Sequence, residues 1–199
     1  TAYQAYFMIS SETTYGTPVA PTKDVGYVQS HSIEETNNLA RVRAISTREV
    51  QTDAGGRYAV TGSVEVIYQH GRILNYAFGA TNHASNSNDR IHAFTVNNSA
   101  LPSFTAEGGW AGVAQTAYRV EGCKVGSTTL GIDVDGQFTV RFDYTGQQNS
   151  VAGATQTFTG SALPVYSAYQ ATVSTGTSGG ETVVAEARSF ELTLNNDLQ

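Results

Sequence analysis

The 199-residue sequence contains one cysteine, one tryptophan, one methionine and four prolines, and its only lysines are Lys23 and Lys124. A single thiol, Cys123, excludes an intramolecular disulfide and leaves no second cysteine for a zinc site. Cys123 therefore reads as a small buried hydrophobe rather than a catalytic thiol. Charged residues amount to 14%, against roughly 25% in an ordinary soluble domain. The formal net charge is −6, and the chain lacks the basic footprint with which proteins grip phosphates. No run approaches the roughly 20 apolar residues that a membrane-spanning helix needs. The start, Thr1-Ala2-Tyr3-Gln4, has no charged-then-apolar signal region.

What replaces the missing charge is Thr, Ser, Asn, Gln and Gly, together with eleven tyrosines and many valines. Hydrophobic residues still make up 40%, enough for a core. β-Branched and aromatic side chains suit a pleated surface, so the expectation is an all-β domain over residues 1–199 with one short α-helix. The run from Tyr3 to Ile9 reads as a strand and Ser10 to Pro21 as a turn-rich loop, since Pro18 and Pro21 forbid regular ladders. Val25 to Ile33 reads as a second strand. The polar stretch 34–56 suits either a long loop or a projecting hairpin. Between Tyr58 and Tyr68, Val60, Val64 and Val66 alternate with Thr61, Ser63 and Glu65, the period-2 pattern of a half-buried antiparallel strand. Ile73, Leu74, Ala77 and Phe78 fall at helical spacing, and Gly79 stands where a helix stop belongs.

Asn82 to Arg90 reads as a polar loop, Ile91 to Val96 as a strand, and the glycine-rich stretch Ser103 to Gly112 around Trp110 as another loop. Three antiparallel strands follow: Gln115–Lys124, Thr128–Val134 and Gln137–Tyr144. Asp135-Gly136 signals a two-residue type I′ hairpin between the last two. In the last strand Phe138, Val140, Phe142 and Tyr144 share one face, with Thr139, Arg141 and Asp143 on the other. Gln147–Gly160 and Thr175–Gly180 read as loops, and Val165–Val173 as a segment that pairs elsewhere. Thr182–Leu194 reads as a final strand.

Catalytic patterns are missing. His31, His70, His83 and His92 form no HExxH or HxH arrangement, and neither a GxSxG elbow nor a phosphate-cradling GxxxxGK[ST] loop occurs. Asp133-Val134-Asp135-Gly136 opens like a calcium loop, but its twelfth position is Tyr144 rather than Glu. Glu34 and Glu35 are adjacent, and adjacent strand residues point to opposite faces, which separates the pair. The expectation is a structural protein with no cofactor, not an enzyme.

Three segments in order resemble the phage tail tube protein family. They are Glu12-Thr13-Thr14-Tyr15-Gly16-Thr17-Pro18-Val19; Val60-Thr61-Gly62-Ser63-Val64-Glu65-Val66 with the helix ending Phe78-Gly79; and Tyr118 through Leu130 with the Asp-Gly hairpin behind it. Ser189 to Asn196 also fits. The resemblance implies a β-sandwich or barrel whose strands join those of neighbours in a hexameric ring around a lumen. Rings would stack into a hollow tube through which viral DNA passes. It implies as partners other copies of the chain, a tape measure protein and DNA transiently in the lumen, and tail terminator and baseplate or tip proteins. It places the protein in the virion tail, with assembly in the host cytoplasm. Stretch 34–56 corresponds to the family's inter-ring loop or hairpin, making Arg41, Arg43, Arg48, Glu49 and Asp53 candidate inter-subunit residues. The family pattern usually continues beyond the Asn-Asn segment whereas this chain stops at Gln199, so a truncated C-terminus or a shorter relative is expected. A negative wall repels phosphates, and Glu65, Glu121, Asp133 and Asp143 are the lumen-lining candidates. The rival readings are another self-assembling β-protein, such as an extracellular filament subunit or a capsid decoration protein, and a carbohydrate-binding β-sandwich with Trp110 and tyrosines as sugar platforms.

Overall fold

The computed structural model describes the chain apart from residues 1–3, 43–44, 46–51, 87–88, 98–99, 112–116, 153–161, 178, 185–188 and 199. Nine strands form one antiparallel sheet folded over a long central strand, β10 (Tyr118–Asp133). On one side of the fold lie β2 (Lys23–Asp24), β1 (Gln4–Ser11), β9 (Phe104–Ala111), the first half of β10, and β12 (Gln148–Val151). On the other side the order is β15 (Ser189–Asn195), the second half of β10, β11 (Thr139–Gly146), β6 (Tyr58–Ile67) and β3 (Tyr27–Asn37).

The two halves face each other through one core. Phe7, Ile9, Phe104, Ala106, Val120 and Cys123 come from the first half, and Val60, Val64, Val66, Val140, Phe142 and Tyr144 from the second. Each fully buried Val, Ile or Phe among them contributes about 1.5–3 kcal/mol. The architecture is therefore mostly strand, as the composition and alternation predict, and a β-sandwich, as the resemblance implies. One end is plugged by α1 (Arg72–Phe78), which buries Ile73, Leu74, Tyr76 and Ala77 and stops at Gly79 in the left-handed region, φ +88°. The Gly79 N–H returns to the Asn75 carbonyl, a glycine stop of the expected kind. Asn196 locks the end of β15 to this plug, donating from Nδ2 to the carbonyls of Ala77 (2.9 Å) and Val125 (3.1 Å).

Several local expectations change. Within the expected loop 103–112, residues 104–111 instead form β9, between β1 and β10. Gly108 and Gly109 mimic a loop in sequence, yet here they permit close packing. A Cβ at Gly108 would stand 3.2 Å from the His31 ring, and one at Gly109 2.9 Å from Ala117. Residues 82–86 and 89–90 are likewise paired, in the hairpin of β7 (Gly79–Asn86) and β8 (Asp89–Val96). Asn and Ser favour turns through their own side-chain hydrogen bonds, and here the ladder to the predicted strand Ile91–Val96 prevails. The strands expected at 115–124 and 128–134 are one, because β10 carries two bulges instead of a break, near Val120/Cys123 and Val125/Ser127. Gly122 at the first bulge has φ +64°, and the extra residue turns Cys123 into the core beside Val120, off the simple alternation. The Asp-Gly hairpin exists, shifted by one residue. Asp135 alone takes positive φ, +62°, and the Gly136 N–H donates to the Asp133 carbonyl. Residues 148–151 form short β12, and Val165–Val173 pairs through the Gln137–Ser167 bridge, with a 3₁₀ turn at Ala168–Gln170 and the Val173 carbonyl accepting from the Val184 N–H. The expected final strand divides into β14 (Thr182–Val183), paired with β13 (Ser174–Thr175), and β15.

Candidate functional site: an acidic sheet face between two open edges

The second half of the sheet has an outer face turned away from the core. Register places Ser30, Ser32 and Glu34 of β3 beside Glu65, Ser63 and Thr61 of β6, which in turn face Arg141, Asp143 and Thr145 of β11. Ser127 and Thr129 of β10 continue the rows to Asn195 and Thr193 of β15, and Glu191 lies opposite Gly131. The period of two that buries the valines of β6 thus generates this polar surface from the alternate positions. Four carboxylates (Glu34, Glu65, Asp143 and Glu191) share it with two cations, Arg141 and, at its margin opposite Thr145, Lys124. Ser127 Oγ donates to Asp143 Oδ2 at 2.7 Å, holding that carboxylate in place. Arg141 Nε lies 3.9 Å from Asp143 Oδ1, with both side chains about half exposed. Such a pair adds at most about 1 kcal/mol, so the face stays net negative.

Both margins of this half are unpaired among the described residues. The eleven-residue β3 pairs only with β6, and β15 only with β10. A free edge is a template for another strand. The core-facing side of β15 is also poorly covered, with Phe190 40% and Leu192 47% exposed. Tyr68, Ile132, Phe138, Tyr166 and Val173, together with Phe190, line a shallow apolar depression.

The predicted residues separate. Glu65 and Asp143 come together on the acidic face. Asp133 lies at its end, exposed beside the Val134-Asp135 turn. Glu121 belongs to the first half of β10, opposite Gln148, where it accepts from Ser150 Oγ at 3.4 Å. The fold turns its surface away from that of Glu65. In the polar stretch, β3 runs on to Asn37, and β4 (Ala40–Val42) pairs with β5 (Thr52–Ala54), setting Arg41 opposite Asp53. Arg43, Arg48 and Glu49 lie outside the described residues. Sequence reasoning missed Glu34 and Glu191 as members of the acidic face. Both were legible as polar alternates of their strands, but only the register shows that they share a surface with Glu65.

The remaining buried charges serve the scaffold. Glu107, fully buried, accepts from Tyr6 Oη (2.8 Å) and from Arg119 Nε and Nη2 (3.1 and 2.7 Å). Glu12 anchors the 12–22 loop, accepting from Thr105 Oγ1 and from the backbone N–H groups of Gly16 and Gly122. Asp24 is paired with His70 and Arg72. Burial opposes its charge, but the His70 hydrogen bond and the His70 and Arg72 charges outweigh this and hold its carboxyl below the usual value. Burial pushes the Cys123 thiol far up, which keeps it protonated. Among the described residues no group of three or more His, Cys, Asp and Glu side chains is placed to hold a metal ion.

These features describe a β-sandwich with two unpaired sheet edges, among the described residues, beside one polar face. No curated protein matches the sequence. Against protein-family models, the sequence matches that of the phage tail tube protein over residues 2–199. With nearly its whole length matched, the chain belongs to the phage tail tube protein family and is a structural component of the tail.

Proposed function

We propose that the chain forms hexameric rings, that the rings stack into a hollow tube, and that viral DNA passes along a lumen walled by the outer face of β15-β10-β11-β6-β3. The observation that carries this reading is the pair of open edges, β3 and β15, flanking one polar, net-negative face. Joining the β15 edge of one copy to the β3 edge of the next is a head-to-tail contact, which closes into a ring when the rotation fits. Closure removes the free edges and covers Phe190 and Leu192. The wall then presents Glu34, Glu65, Asp143 and Glu191 to the lumen, where they repel phosphates and let DNA slide. Glu121 is assigned to the outside of the ring. The β4–β5 hairpin reaches to the neighbouring ring, where Arg41 pairs with acidic groups. The tape measure protein would fill the lumen before DNA, with terminator and baseplate or tip proteins at the two ends.

Negative-stain electron microscopy of the purified chain, with image averaging, tests this. Six-fold rings or hollow tubes are the expected result. Dispersed monomers at high concentration would overturn the ring, and solid thin fibres would point to a filament subunit instead.

A further inference from the structure

The β7–β8 hairpin carries an arrangement that the proposed ring contact does not invoke. His83 of β7 and His92 of β8 are direct cross-strand partners. Their rings lie 4.7 Å apart at 85°, and the two Nδ1 atoms approach to 2.7 Å on the exposed surface. Each ring therefore aims the same nitrogen at one point. In the absence of a cation the contact requires one ring to carry the Nδ1 proton and the other to accept it.

We propose that His83 and His92 form a two-imidazole site for a divalent transition-metal ion of the Zn²⁺, Ni²⁺ or Cu²⁺ class. Imidazole nitrogen suits these ions and leaves Mg²⁺ and Ca²⁺, which need oxygen ligands, unbound. Tetrahedral zinc with Zn–N bonds of about 2.0–2.1 Å needs its two nitrogens roughly 3.3 Å apart. The pair reaches that spacing by a small opening of the two exposed rings. The hairpin backbone is held from its base. Thr81 Oγ1 hydrogen-bonds Asn75 Oδ1 on α1, and Phe94, opposite Thr81, stacks with Phe78 at 6.2 Å. The two histidines occupy the next step outward on the same face, so the donors are pre-positioned rather than gathered from a loose loop. Beyond them, Ser85 and Arg90 take the following register positions. Two protein ligands leave two tetrahedral positions for water or for a donor from a second molecule, and the site stands whether or not rings form.

Isothermal titration calorimetry of the full chain with ZnCl2 near neutral pH, with MgCl2 as control, tests the site. The expected result is one saturable equivalent of Zn²⁺ per chain and no Mg²⁺ signal. In H83Q and in H92Q the Zn²⁺ affinity falls about tenfold or more, while circular dichroism and melting are unchanged because both side chains are exposed. Absence of saturable Zn²⁺ binding, or binding undiminished in the H83Q/H92Q double variant, overturns the proposal. If a variant melts early, NMR of the unsubstituted chain decides. Ring-proton signals of both histidines shift together on adding Zn²⁺, and two unmoved signals sink the site.

Discussion

At Gly62 the core has no room for a methyl group, because a Cβ there would overlap the ring of Tyr144 on the neighbouring strand. Gly62→Ala should cost about 1–3 kcal/mol, read as a lower urea midpoint. Among the described residues the Tyr144 hydroxyl has no hydrogen-bond partner, and a buried polar group left unpaired is costly. Tyr144→Phe should therefore leave stability unchanged or raise it, and a large loss would show that this hydroxyl has a partner. Acidification acts through two groups. Burial lowers the His31 value, so its stabilisation is whole above the ordinary histidine pKa of about 6.5 and declines as pH falls below it. Asp24, with its folded value also depressed, contributes fully above the ordinary carboxylate value and is lost as pH falls through the depressed one. Urea midpoints across the acid range should thus fall in two stages. His31→Phe should remove the upper stage and Asp24→Asn the lower.

Among the elements, the β4–β5 hairpin is separable from the sandwich. Asn37 pairs with Tyr58 at the end of the β3–β6 ladder, so deleting residues 38–55 leaves Gly56-Arg57 as a two-residue link between paired strands. Two-residue loops are the commonest hairpin connections, and the subunit should fold. If the hairpin joins rings, the deletion should yield rings without tubes in electron micrographs. Tubes of equal length would refute that role. The bulged β10 depends instead on burial. Glu12 satisfies the N–H of Gly122 at the first bulge and that of Gly16 in the loop, and Glu12→Ala would strand these donors at about 1–3 kcal/mol. The expected readout is faster proteolysis within residues 12–22.

For the whole molecule, the decisive quantity is the sign of charge on the outer sheet face. Replacing Glu65 and Asp143 by lysine leaves the core-facing residues of β6 and β11 untouched. If this face lines the lumen of a tube as proposed, tubes of this variant should retain DNA there in a salt-dependent manner, measured by co-sedimentation at rising ionic strength. Retention as weak as in unsubstituted tubes would mean that another surface lines the lumen.

Sequence alone carried the β class, the helix and its glycine stop, the buried alternate positions of β6 and β11, and the burial of Cys123, because these follow from local periodicity and conformational preference. It also carried the family, through motifs distributed over the chain. Local patterning could not reveal β9 or the β7–β8 hairpin. Gly108-Gly109 and the Asn/Ser run have loop-like preferences that only ladder partners and close neighbours override. Nor could it join the outer-face carboxylates. Glu34, Glu65, Asp143 and Glu191 are distant in sequence and meet only through strand register, and Glu121 parts from them because β10 folds across the sandwich. Alternation states which residues share a side of one strand; which strands share a wall is decided by long-range pairing, and that belongs to the tertiary structure.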